Sequence, residues 1–472
     1  MHIHCYSYTL ATFEKGDLLS AFIKKLTNSE EDVGFISGAQ GITQVALAFP
    51  VGFLSDKFLR QTMLRCACVI GSIALGLTCY IYVDLQHGAN LYFFYGTFML
   101  WGSYIVFSNP NLESIFADSI ATGQRSRLFS VKVTVMQFSN AFGPAVSIVL
   151  FYVLGNTWKL SVLRVVLLCG CGVAILALLM LLRFDDSKSL GQKSESKTVR
   201  EIEEEYQAIG FGTEGFDDDI DTQNMFLLED LQQESFWEKR RRSSSLRQRC
   251  CSCTQTMPCC RSSVASRVKY SLITHDLLLA IGAGMTVKFF PLWFISKTHG
   301  YGLAPIQLSI GYVCAPSLCG IFSLLVQRWS KVTGRVMILI LTKMTGIAAL
   351  YGLALLDSDH TYAAPMVSLW VYRTAIMNCT SGISRSILMD FVTKSQRAKW
   401  NSFESVTRFT WSGSAALGGY LVAMKGYRFC FLITAIIYTV AMIPLFGILK
   451  LVPEEDDEEE DDENKSRSMA IT

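Results

Sequence analysis

Eleven stretches of about 20 mostly apolar residues, each long enough to cross a bilayer as a helix, follow one another with only short polar breaks. They run roughly over 33–53, 62–83, 91–112, 131–154, 161–183, 271–295, 305–327, 334–356, 363–387, 403–424 and 428–450. Soluble domains of this length must cover their cores with polar surface, and this chain does not have enough of it. Of its 472 residues 51% are hydrophobic and only 17% charged, and the mean hydropathy is +0.33, which points to lipid as the solvent. The expected fold class is an all-α polytopic membrane protein, and a secreted or cytosolic globular enzyme is excluded.

One segment departs from the pattern. Residues 184–270 are polar and rich in Ser, Glu and Arg, with too little apolar content to bury, and read as a mostly disordered connector. It separates a bundle over 1–183 from a second over 271–450, and an acidic tail fills 451–472. Five complete spans precede the connector and six follow it. His4–Phe13 has the apolar length of half a span, so the simplest account is a start site placed too late that truncates the first helix. The rival account is a true eleven-span protein. The first residues do not read as a cleavable secretory signal, because polar residues interrupt them and Glu14 and Lys15 follow.

The formal net charge of +2 conceals two segregated runs, basic over Arg240–Arg249 and acidic over Glu454–Glu463. Neither is a basic face on a folded module, so no nucleic-acid partner is expected. The fifteen cysteines lie mostly within apolar segments and read as reduced small hydrophobes. Alternate short loops carry Lys57, Arg60 and Arg65; Arg125, Arg127 and Lys132; Arg328, Lys331 and Arg335; and Lys394, Arg397 and Lys399, while the loops between them are poor in Lys and Arg. The positive-inside bias then places these basic loops, the connector and the acidic tail in the cytoplasm.

The halves repeat. At a constant offset of 272 residues, Asp118 to Ser130 aligns with Asp390 to Ser402: the two aspartates, Gln124 with Gln396, Arg125 with Arg397, Arg127 with Lys399, and the two serines. Five matches in thirteen, each at the end of the corresponding span, indicate a duplicated bundle. A looser pair joins Gly52 to Arg60 with Gln327 to Arg335. The first of these resembles the cytoplasmic-loop motif of the major facilitator superfamily (MFS), Gly-x-x-x-Asp-Arg/Lys-x-Gly-Arg/Lys, matched by Gly52, Asp56, Lys57 and Arg60 with Leu59 in place of the second glycine. The segment from Asp118 to Arg127 is similar to the family's acidic-then-basic loop after the fourth span. This resemblance implies two six-helix bundles around a cavity open to one side of the membrane at a time. Phe98 stands where proton-coupled drug antiporters often carry arginine, and only Gly143-Pro144 survives of their glycine-rich fifth-span signature, which argues against that subclass.

Charges inside spans are expensive and therefore functional candidates. Lys288 lies about two turns from the outer end of the seventh span, and Arg373 lies about 14 Å along the tenth at 1.5 Å per residue. By the resemblance both helices line the cavity, and with no acidic neighbour apparent at that depth the two cations point to an anionic group on a substrate. The bland alternative is pairing with a carboxylate elsewhere, or snorkelling of Lys288 to the outer interface. Glu113, Asp118, Arg385, Asp390, Glu404 and Arg408 read as gate residues. Glu113 and Arg385 occupy equivalent positions with opposite charge, and Glu404 and Arg408 share a helix face at i, i+4. By resemblance Arg60 pairs with Asp118, and Asp56 meets the N-terminus of the eleventh helix. Lys57, Arg125, Arg127, Arg335, Arg397 and Lys399 complete the expected conformational set.

The connector carries modification candidates: Ser243, Ser244 and Ser245 after three arginines suit a basic-directed kinase, and Cys250, Cys251 and Cys253 suit juxtamembrane palmitoylation. Only one C-x-x-C spacing is present, so no metal is expected, and no cofactor either. Gly210, Gly212 and Gly215 have dinucleotide-fingerprint spacing without the strand and helix such a site needs. The chain lacks H-E-x-x-H and G-x-S-x-G and has only six histidines, so it does not read as an enzyme. The expected function is a secondary active or facilitative transporter of a small, anionic organic solute by alternating access, with a non-transporting nutrient sensor on the same scaffold as the alternative. The expected partners are the solute, a coupling ion (a proton or another) and the lipid bilayer. The expected state is a monomer, multi-pass, with the plasma membrane favoured as host; uniport, symport and antiport are all open. Asp56→Asn is expected to slow the conformational cycle while leaving solute affinity nearly intact. Comparing exchange rate with binding affinity checks this, and a selective loss of affinity contradicts it.

Overall fold

A computed structural model describes residues 17–84, 91–118, 125–182, 258–356, 362–390, 397–449 and 451. The chain divides into two compact units, Met1–Gly191 together with Ala265–Thr472, and Gln192–Val264; of the second, only 258–264 are described. The candidate modification sites Ser243, Ser244, Ser245, Cys250, Cys251 and Cys253 lie outside the described residues, as does His4–Phe13.

The described residues are helical throughout, with no strand among them. The first half comprises α1 (Asp17–Thr27), α2 (Glu30–Lys57), α3 (Arg60–Val83), α4 (Leu91–Asp118), α5 (Arg125–Leu154) and α6 (Leu160–Leu182). The second half comprises α7 (Pro258–Val287), α8 (Phe290–Ile295), α9 (Pro305–Thr333), α10 (Arg335–Leu355), α11 (Ala363–Asn378), α12 (Ser381–Asp390), α13 (Arg397–Lys425) and α14 (Tyr427–Ile448). Among the described residues, seven helical segments have the length and composition to cross a membrane: α3, α6, α9, α10, α14, the stretch Val131–Leu154 of α5, and Ser266–Ile295 across α7 and α8. The duplication holds in the helix boundaries. α4 and α11 begin at Leu91 and Ala363, α4 and α12 end at Asp118 and Asp390, and α5 and α13 begin at Arg125 and Arg397, all at the offset of 272.

The structure differs from the sequence reading in three places. α1 was not anticipated, because Asp17, Lys24 and Lys25 interrupt its apolar face; Leu19, Phe22 and Ile23 on that face are nevertheless buried. It stops at Asn28, which takes a left-handed φ of 57°, and Ser29 restarts the chain by accepting the Asp32 amide at 3.3 Å, with Glu30, Glu31 and Asp32 against the positive end of α2. The span expected at 271–295 is broken between α7 and α8. Pro291 lacks an amide hydrogen and its ring crowds the carbonyl four residues back, so the helix cannot run straight through. The span expected at 363–387 is likewise broken between α11 and α12.

The halves meet chiefly where α2 packs on α13 and α5 on α9, with smaller contacts of α1 on α8 and of α5 on α12. Small residues permit the first. A Cβ built on Gly34 would lie 2.5 Å from the carbonyl oxygen of Ala415, so the two backbones are in direct contact there. On its other side α13 presses equally closely on α7, where a Cβ on Gly284 would collide with the Trp411 carbonyl oxygen and Ser414 Oγ. One helix rich in Ser, Gly and Ala is thus wedged between two others.

Polar links join the halves at the end of the bundle where α1 turns into α2. Lys24 Nζ lies 2.5 Å from Glu30 Oε1 and donates to the Tyr427 hydroxyl at 2.8 Å, and that hydroxyl donates in turn to Glu30 Oε1. Trp158 Nε1 donates to the Leu303 carbonyl at 2.7 Å, and the Ile306 amide donates to Asn156 Oδ1 at 3.0 Å. The Lys24 and Glu30 side chains are 29% and 23% exposed. A surface ion pair contributes about 0–1 kcal/mol, less than the 1.4 kcal/mol that changes a population tenfold. The ion pair alone therefore adds little to the join between the halves, where α2 and α13 also touch backbone to backbone.

Two outcomes follow from this packing. Gly284→Ala is expected to destabilise the protein by about 1–3 kcal/mol through overpacking, whereas Gly76→Ala, whose Cβ meets nothing within 4 Å, is expected to leave stability equal or slightly higher; thermal unfolding in detergent compares them. Lys24→Gln and Tyr427→Phe are expected to be non-additive, with a double-mutant coupling of about 0.5–3 kcal/mol. Strictly additive losses would show that the clasp does not act as a unit.

Candidate functional site

The break between α7 and α8 places Lys288 in the turn that joins them, 7% exposed. Two residues on, Phe290 packs into an aromatic cluster: it stacks on Phe431 with centroids 4.3 Å apart and lies 6.4 Å from Trp370, which meets Tyr312 edge-on at 4.6 Å. Arg373 of α11 enters this cluster. Its guanidinium carbon sits 5.2 Å from the Phe290 centroid and 5.7 Å from that of Tyr438, and Nη2 donates to the Tyr438 hydroxyl at 3.2 Å. Arg373 is 4% exposed, and its Nε has no hydrogen-bond acceptor among the described residues. Aromatic faces offset part of the cost of a buried guanidinium, but they leave a forked donor group without the acceptors it normally finds.

Of the two cations that sequence reasoning singled out, Arg373 lies against the Phe290 ring, and Lys288 precedes Phe290 by two residues in the turn. It missed a second group behind them. Lys343 of α10 is 8% exposed and donates from Nζ to the carbonyl of Met377, in the last turn of α11. It lies within electrostatic reach of Asp276 on α7 and of Arg373. His275, fully buried, has Nδ1 2.7 Å from the Ala441 carbonyl, which makes that nitrogen the donor, and leaves Nε2 without a partner among the described residues. Asp276 shares a helix with His275, a few turns before Lys288, and its electrostatic partner is Lys343. The missed signal was present: Asp276 and Lys343 are ionisable residues inside recognised spans, the same criterion that selected Lys288 and Arg373.

Lys343 also accounts for the second helix break. At the end of α11 Asn378 Nδ2 donates to the Thr374 carbonyl at 2.8 Å, Cys379 Sγ to that of Ile376 at 3.2 Å, and Lys343 Nζ to that of Met377. Side chains thus take up carbonyls that would otherwise bond amides further along. An ammonium at this point also faces the negative end of the α11 dipole.

The motif residues occupy the opposite ends of these helices. Gly52, Asp56 and Lys57 close α2 and Arg60 opens α3, so the motif forms the corner between them; Gly52 is exposed, with open space where a Cβ would be. Glu113 and Asp118 lie on α4, Arg125 and Arg127 in the first turn of α5, Arg385 and Asp390 on α12, and Arg397, Lys399, Glu404 and Arg408 on α13. Arg335 is the first residue of α10 and is buried. The side chains of Asp56, Lys57, Glu113, Asp118, Arg125, Arg127, Asp390, Arg397, Lys399, Glu404 and Arg408 lie outside the described residues, and with them the expected pairings of Glu113 with Arg385, Arg60 with Asp118 and Glu404 with Arg408.

Residues 16–414 match the Major Facilitator Superfamily. No curated protein matches the chain. Among solved structures, the chain is similar to the inward-open conformation of the xylose transporter XylE from E. coli, with a TM-score of 0.61 and 12% identity over 96% of this chain and 95% of that one. It is also similar to a D-xylose-proton symporter, with a TM-score of 0.63 and 13% identity over 96% and 97% of the two chains. A partially occluded inward-open form of XylE from E. coli gives 0.62 and 11% over 96% and 97%. At these identities the likeness is one of fold, and it covers nearly the whole chain. With the family match, the repeated helix boundaries and the apolar spans all in agreement, the chain is a multi-pass integral membrane protein that belongs to the major facilitator superfamily.

Proposed function

We propose that this protein is a secondary active or facilitative transporter that moves a small organic solute carrying an anionic group, by alternating access between its two halves. Arg373 carries the reading. It is a buried, permanently charged group with an unused donor, held in an aromatic cluster at a helix break, and it shares the second half with Lys288 and Lys343, buried within its spans, besides the buried Arg335 at the first residue of α10. Against these three cations stands a single carboxylate among the described side chains of that half, Asp276. A carboxylate or phosphate would supply both the acceptors and the missing charge, through the bidentate geometry that guanidinium favours.

The arrangement of the halves supports the transport cycle. With the basic loops in the cytoplasm, the clasp of Lys24, Glu30 and Tyr427 lies on the outer side, and the described conformation is the one closed to the exterior. The neighbouring folds include transporters of xylose, an uncharged sugar. That makes a neutral solute the second reading, and three interior cations speak against it.

Counterflow into proteoliposomes of the full chain tests the proposal with labelled succinate, a hexose phosphate and xylose as separate probes. Uptake of an anion is expected, with Arg373→Gln lowering it roughly tenfold or more, the loss of a charge-assisted hydrogen bond of about 1.5–3 kcal/mol. Arg373→Lys, which keeps the charge but not the fork, is expected to recover part of it. Uptake of xylose that ignores both substitutions would favour the neutral-solute reading, and saturable binding with no flux of any probe would favour the sensor.

A further inference from the structure

The one side chain that accepts a hydrogen bond from Arg373 is a donor in its own right. The Tyr438 hydroxyl of α14 takes a hydrogen from Nη2 at 3.2 Å, and among the described residues its own hydrogen has no acceptor. Arg373 Nε is likewise without one. The two side chains are 4% and 2% exposed, so both unused hydrogens point within the protein. Nε and Nη2 are neighbouring donors of a planar, rigid fork, so an oxygen that accepts from Nε comes within reach of the hydroxyl held at Nη2.

That hydroxyl is held in place from behind. The Tyr438 ring lies against the backbone of α7 at Gly282, where a Cβ would stand 2.6 Å from Cε1 and 3.0 Å from Cδ1. On either side α7 and α14 are tied in register: His275 Nδ1 donates to the Ala441 carbonyl at 2.7 Å, Thr434 Oγ1 to that of Gly282 at 3.4 Å, and Cys430 Sγ to that of Met285 at 3.3 Å. A tyrosine turns about only two side-chain bonds, so its ring cannot fold out of the way as a lysine stem would. On the opposite side the guanidinium carbon of Arg373 lies 5.7 Å from the ring centroid. Tyr438 is thus clamped between a glycine that admits its ring and an arginine that uses its oxygen.

We propose that Tyr438 is the second ligand of the solute anion, its hydroxyl donating to an oxygen seated at Arg373 Nε, and that Gly282 is the positioning residue that sets the hydroxyl there. The proposal rests on the anion reading of Arg373 and narrows it. Two donors converge where that oxygen sits, so the place suits an oxygen that carries no hydrogen of its own. An ionised carboxylate or phosphate meets that condition; a sugar hydroxyl brings one more hydrogen to a place already rich in them. Charge-assisted bonds to such an oxygen are shorter and roughly twice as strong as neutral ones, which gives the tyrosine hydrogen its worth.

Uptake of labelled succinate and of a hexose phosphate by the full chain in proteoliposomes separates contact from packing. Tyr438→Phe keeps the ring and removes only the hydroxyl; it is expected to raise KM for the transported anion roughly tenfold, as loss of a hydrogen bond to a charged group does, with the maximal rate nearly unchanged. Gly282→Ala touches neither Arg373 nor the solute, and is expected to raise KM in the same way but to add nothing in the Tyr438→Phe background. Infrared difference spectra on adding the same anion to protein carrying ring-deuterated tyrosine are expected to show a shifted tyrosine C–O band that Tyr438→Phe removes. A KM that Tyr438→Phe leaves unmoved, or a shifted band that persists in that variant, overturns the role of Tyr438 as ligand. A Gly282→Ala effect that is undiminished in the Tyr438→Phe background overturns the positioning role of Gly282. Arg373→Gln with the wild-type KM overturns the anion reading and this proposal with it, whereas an impaired Arg373→Gln beside an unimpaired Tyr438→Phe overturns this proposal alone.

Discussion

In a bilayer no water is available to a freed amide or carbonyl, so every backbone polar group in the membrane must be satisfied within the protein. That constraint makes the described chain helical throughout, and it gives meaning to the two places where the helices stop short. The α7–α8 turn is forced by Pro291, and it holds Lys288. The end of α11 has no proline to explain it and is instead held by side chains, chief among them Lys343 reaching over from α10 to the Met377 carbonyl. Both interruptions fall in the second half, and both carry a buried ammonium.

The magnitudes show that Lys343 is not there for the helix end alone. A cation at a helix C-terminus contributes about 0.3–1 kcal/mol, up to about 2 in a partly buried site, whereas burying an ion in a protein interior costs several kcal/mol. The deficit requires a counter-charge, and Asp276 is the carboxylate within reach. The same comparison applied to Arg373 gives a different result. Its aromatic neighbours return part of the cost but accept only one of its hydrogen bonds, and its Nε is left without an acceptor among the described residues.

Much of this architecture was legible in the sequence, and the exceptions have physical causes. Apolar length located eleven spans whose edges fall within a few residues of the helices in most cases, and the repeat of Asp118–Ser130 at Asp390–Ser402 recurs in the helix boundaries themselves. α1 escaped because Asp17, Lys24 and Lys25 within a short helix lower the mean hydropathy on which span-finding depends. Pro291 could have signalled the first break. The second could not have been read locally, since its cause is a lysine 34 residues away on another helix. Lys288 and Arg373 were legible as buried charge, but their aromatic setting was not, because Phe431 and Tyr438 come from α14 and become neighbours only after folding.

The fold alone does not choose a solute, since one scaffold hosts many chemistries and the choice is made by the side chains that converge on it. Under the proposed reading a neutral ligand gives the Arg373 Nε no acceptor in return for the desolvation of its guanidinium. An anionic ligand relieves the cost when it binds and restores it when it leaves. A site that is strained when empty and relaxed when filled favours the filled state by differential interaction, which is the requirement for a ligand to move a two-state equilibrium at all. The outer clasp, worth little by itself, leaves that equilibrium close enough to balance for such a ligand to tip it.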